Sequence, residues 1–355
     1  MEGHRPMFIR VAALASSVIA ASFACTSAQD ESPRANPIPA RAATGIADPL
    51  ASFARFVGGE WKMTAQAGTS MYDVWHWGPG KHSLRVMTHG YAASGEPWHA
   101  VGVVYSHPGL GGVRSLALSP YERSVSEGSV RFDAQSAETV ADLFQIGVRR
   151  KLVTRWDFEG PDQYHSTLLE EIAPGRLETL VEFDHFRSET LTRVSTPPAD
   201  APPKPSEYLT AFEPLLRDTW ESDGHWVTGD AVRTRSNFEY VPYSDAIYAR
   251  VIAPTTDGEP AHLLDAYVFH HTGANALRCL ALSNRGGVYE GDVTVVEGGA
   301  LQLDLKGYAG DQVVPYSVRF DFAPDATVRS RVWSLAGSER TLVLDVQHAK
   351  FAPKD

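Results

Sequence analysis

A long internal repeat constrains this chain more than any other feature. Arg155-Trp156-Asp157-Phe158 returns 164 positions later as Arg319-Phe320-Asp321-Phe322. At the same offset, Ser115-Leu116-Ala117-Leu118-Ser119 returns as Cys279-Leu280-Ala281-Leu282-Ser283, and Tyr105-Ser106-His107 as Phe269-His270-His271. Gly95-Glu96-Pro97-Trp98-His99 recurs one position short of that offset, as Gly258-Glu259-Pro260-Ala261-His262. Solenoid units run to roughly 20–50 residues, so this period is that of a whole domain, duplicated. The length of 355 residues agrees, since about 150 residues per domain leaves room for two.

The flanking segments divide the chain. Arg10 precedes an apolar run, Val11 to Ala24, that has signal-peptide length and is too short to span a bilayer. Cys25 follows Ser22-Phe23-Ala24, which resembles a bacterial lipobox. That resemblance implies removal of residues 1–24 and lipidation of Cys25, placing the protein in the periplasm or anchored to the outer membrane. Cleavage after Ala28, giving a plainly secreted protein, is the alternative. Residues 25–47, with Pro33, Pro37 and Pro39, read as a disordered tether, and residues 196–206, with two Pro-Pro pairs, as a semi-rigid linker. The two domains are then 48–195 and 207–355. A formal net charge of −11 with no Lys/Arg stripe argues against a nucleic-acid partner. Cys279 stands where the first repeat has Ser115, inside an apolar run, and reads as a small buried filler.

Each repeat opens on a short helical phrase. Leu50, Phe53, Phe56 and Val57 share a face, as do Leu209, Phe212, Leu215 and Leu216, and Trp61 and Trp220 follow at equal spacing. Beyond the tryptophans, short β-branched and aromatic runs alternate with turn residues. In the first repeat the runs are 72–77, 83–88, 101–106, 113–119, 129–132, 151–158, 164–170 and 177–183. The pattern predicts an all-β protein with about eight antiparallel strands per repeat, closed into an up-and-down barrel that leaves no exposed edge.

Gly59-Glu60-Trp61 resembles the Gly-x-Trp phrase that opens calycin barrels, the superfamily of lipocalins and fatty-acid-binding proteins. Both repeats resemble the lipocalin-like domains of unknown function found in bacterial secreted proteins, in which a Trp after a short helix precedes a meander and an "EG" turn, here Glu127-Gly128 and Glu290-Gly291, separates strands. The resemblance implies two tandem lipocalin-like barrels. It also implies an Arg from the last strand against that Trp; Arg187 is the candidate in the first repeat, and the second has only Lys350 nearby. Haem-binding calycins use a His near the barrel's end, where His185 and His348 stand, outside any recognisable haem motif.

Strand alternation assigns residues to lumen or exterior. Matching Tyr72, Val74 and His76 to Ser236, Phe238 and Tyr240 makes that face the mostly apolar one in both copies and the expected interior. Trp75 and Trp77 then lie outside the first barrel, covered by the second; the reverse assignment, with the Trp face as core, is the alternative. On the first reading Tyr72, His76, Tyr105 and His107 lie at or near a pocket in the first barrel, with Arg155 as a further candidate for a ligand carboxylate. A strand-terminal His bonding its own turn is the plainer reading of His107 and His271, and a solvated cross-strand pair that of Arg155. Gly-x-Ser-x-Gly, His-Glu-x-x-His, Cys-x-x-Cys and phosphate-loop motifs are all missing from the sequence, and five histidines between His76 and His107 match no ligand spacing, so neither metal nor cofactor is expected.

The expected function is binding of a small hydrophobic or amphiphilic molecule in the cell envelope, with membrane contact only through a lipid anchor and the two barrels packed on each other. Tandem lipocalin-like proteins that act as isomerases, hydratases or cyclases on terpenoid or polyketide-like substrates supply the enzymatic alternative, which needs only one or two lumen acid–base groups. A structural envelope protein without a ligand is the third reading.

Overall fold

The computed structural model describes residues 49–65, 70–91, 97–119, 123–133, 135–188, 206–216, 218–241, 244–254, 260–310, 312–337 and 339–352. The expected signal peptide, the tether with Cys25 and most of the linker lie outside them. Ten antiparallel strands form the first barrel: β1 (Glu60–Ala65), β2 (Ser70–Trp77), β3 (Ser83–Tyr91), β4 (Pro97–Ser106), β5 (Val113–Ser119), β6 (Ser124–Phe132), β7 (Ser136–Gln145), β8 (Val148–Phe158), β9 (Gln163–Ala173) and β10 (Arg176–Ser188). The second repeats the plan with β11 (Thr219–Trp226), β12 (Ala231–Tyr240), β13 (Ala246–Ala253), β14 (Ala261–His271), β15 (Ala276–Ser283), β16 (Val288–Val295), β17 (Leu301–Ala309), β18 (Gln312–Phe322), β19 (Val328–Ala336) and β20 (Glu339–Lys350). In each barrel every strand pairs with its sequence neighbour and the last pairs with the first, so no edge is left open.

The chain thus has two strands per repeat more than the eight expected. In the first repeat these are β1, which the helical phrase absorbed, and β7, whose Ala, Glu and Asp are poor strand formers. Burial along β7 alternates without a break, with Ala137, Thr139, Ala141, Leu143 and Gln145 inward. Closure, which gives both faces fixed environments, overrides intrinsic propensity there.

The entrances to the barrels follow the repeat. Short 3₁₀ helices, Ala51–Phe56 and Glu207–Leu215, drive Phe53, Phe56, Leu209, Phe212 and Leu215 into the barrel mouths. Each ends under its tryptophan: Trp61 Nε1 donates to the Phe56 carbonyl and Trp220 Nε1 to the Leu215 carbonyl, both at 2.9 Å. The first-to-last strand pairing places Arg187 opposite Trp61 and Lys350 opposite Trp220. The Arg187 guanidinium lies 4.4 Å from the Trp61 ring and also donates to the carbonyls of Arg55 and Gly58. Lys350 Nζ, a single point charge, lies 5.9 Å from Trp220 and pairs with Asp218 at 2.6 Å.

The ladders correct the sequence match at the first strand. Trp61 pairs with Asp73, and its counterpart Trp220 pairs with Ser236, so Asp73, not Tyr72, corresponds to Ser236. A slip of one residue inverts the faces. Trp75 is therefore inside the first barrel, stacked on Phe56 at 4.8 Å, and partly buried Trp77 shares its face, while His76 is exposed on the outer wall. The "EG" pairs are likewise not turns. Gly128 and Gly291 sit within β6 and β16, where an added Cβ would run into the backbone of the next strand at Val140 and Asp304.

Strands β4, β5, β14 and β15 are buried on both faces for much of their length, which explains the repeated Ser/Cys-Leu-Ala-Leu-Ser phrase. Their outward faces meet across the barrels in a pseudo-twofold arrangement. His107 lies 4.7 Å from the ring of Tyr308, and His271 lies 4.7 Å from the ring of Phe144. Gly109 and Gly273 make these approaches possible, since a Cβ on either would strike that same ring.

Candidate functional site

The second barrel encloses a cavity of about 90 Å³. Val232, Val318, Val332, Leu305, Leu344 and Phe320 give it an apolar wall, and Ser222, Ser236, Ser330, Thr234 and His348 supply polar atoms. His348 is held from both sides: Nδ1 lies 2.6 Å from the Ser222 hydroxyl and Nε2 lies 2.7 Å from the Ser330 hydroxyl. Burial lowers its pKa to about 4, so the ring is neutral at physiological pH. A neutral imidazole has one donor and one acceptor nitrogen, so one serine donates to the ring and the other accepts from it. Ser236, 4% exposed, has a hydroxyl with no hydrogen-bond partner among the described residues. A buried hydroxyl without a partner costs about 1–3 kcal/mol. Among the described residues no Asp, Glu, Lys or Arg lines the cavity.

The same ladder positions in the first barrel explain why the cavity is there. The pairs Met63–Met71 and Met63–His185 in the first barrel correspond to Ser222–Thr234 and Ser222–His348 in the second. Phe183 pairs with Ser166 as Val346 pairs with Ser330. Met63, Met71 and Phe183 form a packed cluster in the first barrel, whereas Ser222, Thr234 and Val346 all line the cavity. Nearer the mouth, Phe53, Phe56, Trp61, Trp75 and Tyr164 pack with centroid spacings that include 4.8 Å, 4.9 Å and 5.4 Å. His185 keeps its serine, Ser166, at 2.7 Å, but Met63 offers Nδ1 nothing, and that nitrogen has no partner among the described residues.

The residues singled out from sequence do not converge. Tyr72 stacks on His89 at 5.7 Å on the outer wall of the first barrel, and exposed His76 shares that face. Arg155 also faces outward, paired with Glu138 at 3.0 Å. Tyr105 and His107 come within 6.1 Å of each other, but between the barrels and not in a lumen. Arg85 crosses to the second barrel and lies over Tyr248 at 4.6 Å. Cys279 is buried, which pushes its thiol up to about 12. Ser222, Ser236 and Ser330 escaped the reading because a serine has no motif of its own. The signal that could have found them is the recurrence of Ser166 and His185 as Ser330 and His348, set against the change of Met63 to Ser222. Among the described residues no group of three His, Cys, Asp or Glu side chains is placed to hold a metal ion.

No family model matches this chain, and no curated protein does. Solved structures do. Rv2717c from M. tuberculosis is 15% identical over 40% of this chain and 99% of its own, with a TM-score of 0.31. A protein of unknown function from the DUF3598 family of Nostoc punctiforme is 12% identical over 86% of this chain and 100% of its own, with a TM-score of 0.17. A redesigned β-barrel bound to DFHBI is 15% identical over 38% of this chain and 97% of its own, with a TM-score of 0.21. The class is defined by the strand order itself: the chain is a tandem of two closed, calycin-like antiparallel barrels.

Proposed function

We propose that this is a binding protein whose second barrel takes a small, uncharged, mainly apolar molecule with one hydrogen-bonding head. The observation that carries this reading is the unpartnered Ser236 hydroxyl in a cavity lined by apolar side chains, neutral hydroxyls and a neutral imidazole. A hydroxyl or carbonyl on the ligand would satisfy Ser236. A carboxylate would meet no cation among the described residues and would carry a full desolvation penalty. A volume of about 90 Å³, below the roughly 150 Å³ of a cavity that admits benzene, limits the ligand to a short or branched chain of a few heavy atoms.

The Ser222–His348–Ser330 relay invites the enzymatic alternative, and its pKa weighs against it. A general base works best with a pKa near the operating pH, and about 4 is well below that. The relay fits hydrogen-bonding recognition better than proton abstraction.

The test is a titration of the purified chain with n-butanol, isobutanol, butyrate and isobutyrate, followed by calorimetry. The neutral pair should bind at least tenfold more tightly than the charged pair, and Val318→Phe, which fills the cavity, should abolish binding. Equal affinity for the charged pair, or binding that survives Val318→Phe, overturns the assignment.

We further propose export with a lipid anchor on Cys25, resting on the apolar run 11–24 and the Pro-rich segment that follows. Palmitate labelling of the wild type and Cys25→Ala decides it; equally low incorporation in both makes the protein a secreted or periplasmic one without an anchor.

A further inference from the structure

We propose a second binding site, between the barrels, for a small zwitterion that carries an alkylated ammonium at one end and a carboxylate at the other. It is independent of the lumen of the second barrel. A cavity of about 170 Å³ lies where the duplicated strands face each other, and each repeat contributes the same set of positions. Tyr105, Leu116, Arg114 and Glu127 from the first repeat oppose Phe269, Leu280, Arg278 and Glu290 from the second.

The two histidines that the repeat conserves organise this site from its flanks. His107 Nδ1 accepts from the amides of Gly109 and Leu110 at 3.1 and 2.9 Å, and His271 Nδ1 accepts from Ala274 at 3.1 Å. With Nδ1 engaged as an acceptor, the proton sits on Nε2. Each Nε2 then points across the interface at the other barrel's carboxylate: His107 to Glu290 at 3.7 Å and His271 to Glu127 at 3.6 Å. Those distances are too long for good hydrogen bonds. The histidines orient the two glutamates, and the Tyr308 hydroxyl faces Glu290 as well.

The charges then choose the ligand. Arg278 is neutralised within its own barrel by Asp292 at 3.1 Å. Arg114 makes no hydrogen bond or close ion pair among the described residues, and its charge reaches Glu290 and Tyr105 from farther off. The cavity is left with two carboxylates, one guanidinium outside any close ion pair and two aromatic faces. An ammonium between Glu127 and Glu290 would meet both charges and the faces of Tyr105 and Phe269, and alkyl groups on the nitrogen suit aromatic faces. A carboxylate at the other end would pair with the Arg114 fork. A bare cation leaves Arg114 unanswered, and a bare anion meets two glutamates.

Glycine betaine is the probe, with choline and propionate as its cation-only and anion-only halves. Calorimetry on the whole chain should give betaine at least tenfold higher affinity than either half. Arg114→Met should lower betaine affinity at least tenfold, and the double variant Glu127→Gln/Glu290→Gln should abolish binding, while Val318→Phe in the second barrel leaves it unchanged. If the double variant fails to fold, Arg114→Met alone carries the test, because Arg114 makes no hydrogen bond or close ion pair whose loss would unfold the chain. Absence of betaine binding, choline or propionate binding as tightly as betaine, or full affinity in Arg114→Met each overturns the proposal.

Discussion

The two barrels share one ladder and differ in what the ladder encloses. In the first, Met63, Met71, Phe183, Trp75 and Tyr164 fill the lumen, and the corresponding positions of the second hold Ser222, Thr234, Val346, Phe238 and Val328. Five exchanges from large to small leave the strand order untouched and turn a packed core into a hollow one. Barrel closure is therefore specified by the strands, the entrance helix and the cation over the tryptophan, and the lumen is free to diverge. Large-to-small exchange in a core costs about 2–5 kcal/mol per site when nothing refills the space. The second barrel is then expected to be the less stable one when empty and to gain stability with ligand by mass action.

The largest effect should separate a filled site from its hollow counterpart. Trp75→Ala removes a ring stacked on Phe56 and should cost about 3–5 kcal/mol. Phe238→Ala, at the equivalent position, enlarges a cavity that already exists and should cost about 2 kcal/mol. Denaturant unfolding with barrel-resolved hydrogen exchange measures both, and equal losses would break the contrast between the barrels.

Acid should act on the second barrel through His348. Its pKa of about 4 in the folded chain lies below the ordinary value of 6.5, so the unfolded state binds the proton first. The stability this group supplies is complete above pH 6.5 and is lost as pH falls towards 4, amounting to about 3 kcal/mol. His348→Leu should flatten stability between pH 6.5 and 4. Burial also depresses His185 well below its ordinary value, so His185→Leu should reduce the loss of stability below pH 6.5 in the first barrel. A slope that persists in both variants locates the acid sensitivity elsewhere.

Filling substitutions sharpen the comparison at a smaller scale. Thr154 and Val318 occupy equivalent inward positions on β8 and β18. Thr154→Phe overfills a packed barrel and should cost about 1–3 kcal/mol, whereas Val318→Phe enters open space and should change stability by less than about 1 kcal/mol. Thermal unfolding of the two variants side by side checks the difference, and comparable losses mean that the second lumen is as tightly packed as the first.

Much of this was legible in the sequence, and the reasons for the rest are physical. The offset of 164, the paired tryptophans and the basic residues at 187 and 350 identify two barrels and their closures because each is a local chemical signal. The faces of β2 were not legible from the repeat, because one extra position after Ser236, at the β13–β14 bulge that skips Leu263, makes the offset 163 upstream and 164 downstream and so reverses a period of two. Only the pairing of Trp61 with Asp73 and Trp220 with Ser236 fixes the register. β7 was hidden by its residue types although its alternation was complete. The lumen of the second barrel was hidden for a different reason. Ser222 and Ser236 become a site through what the ladder brings opposite them and through the bulk that Met63, Met71 and Phe183 would otherwise supply.

The smallest predicted effect concerns the closures. Arg187 presents a planar fork that stacks on Trp61 while donating to two carbonyls of the entrance segment, tying the last strand, the tryptophan and the helix into one unit. Lys350 offers Trp220 only a compact ammonium at 5.9 Å and shares it with Asp218. An exposed cation–π contact is worth about 0.5–1 kcal/mol, and guanidinium stacks better than ammonium. Lys350→Arg should therefore stabilise the second barrel by about 0.5 kcal/mol, and Arg187→Lys should destabilise the first by about 1 kcal/mol or more, since it also strands the carbonyls of Arg55 and Gly58. Amide exchange in β20 and β10 reads the two closures separately. If Arg187→Lys is silent, the carbonyl contacts at the first entrance are dispensable and the difference between the two closures carries no stability.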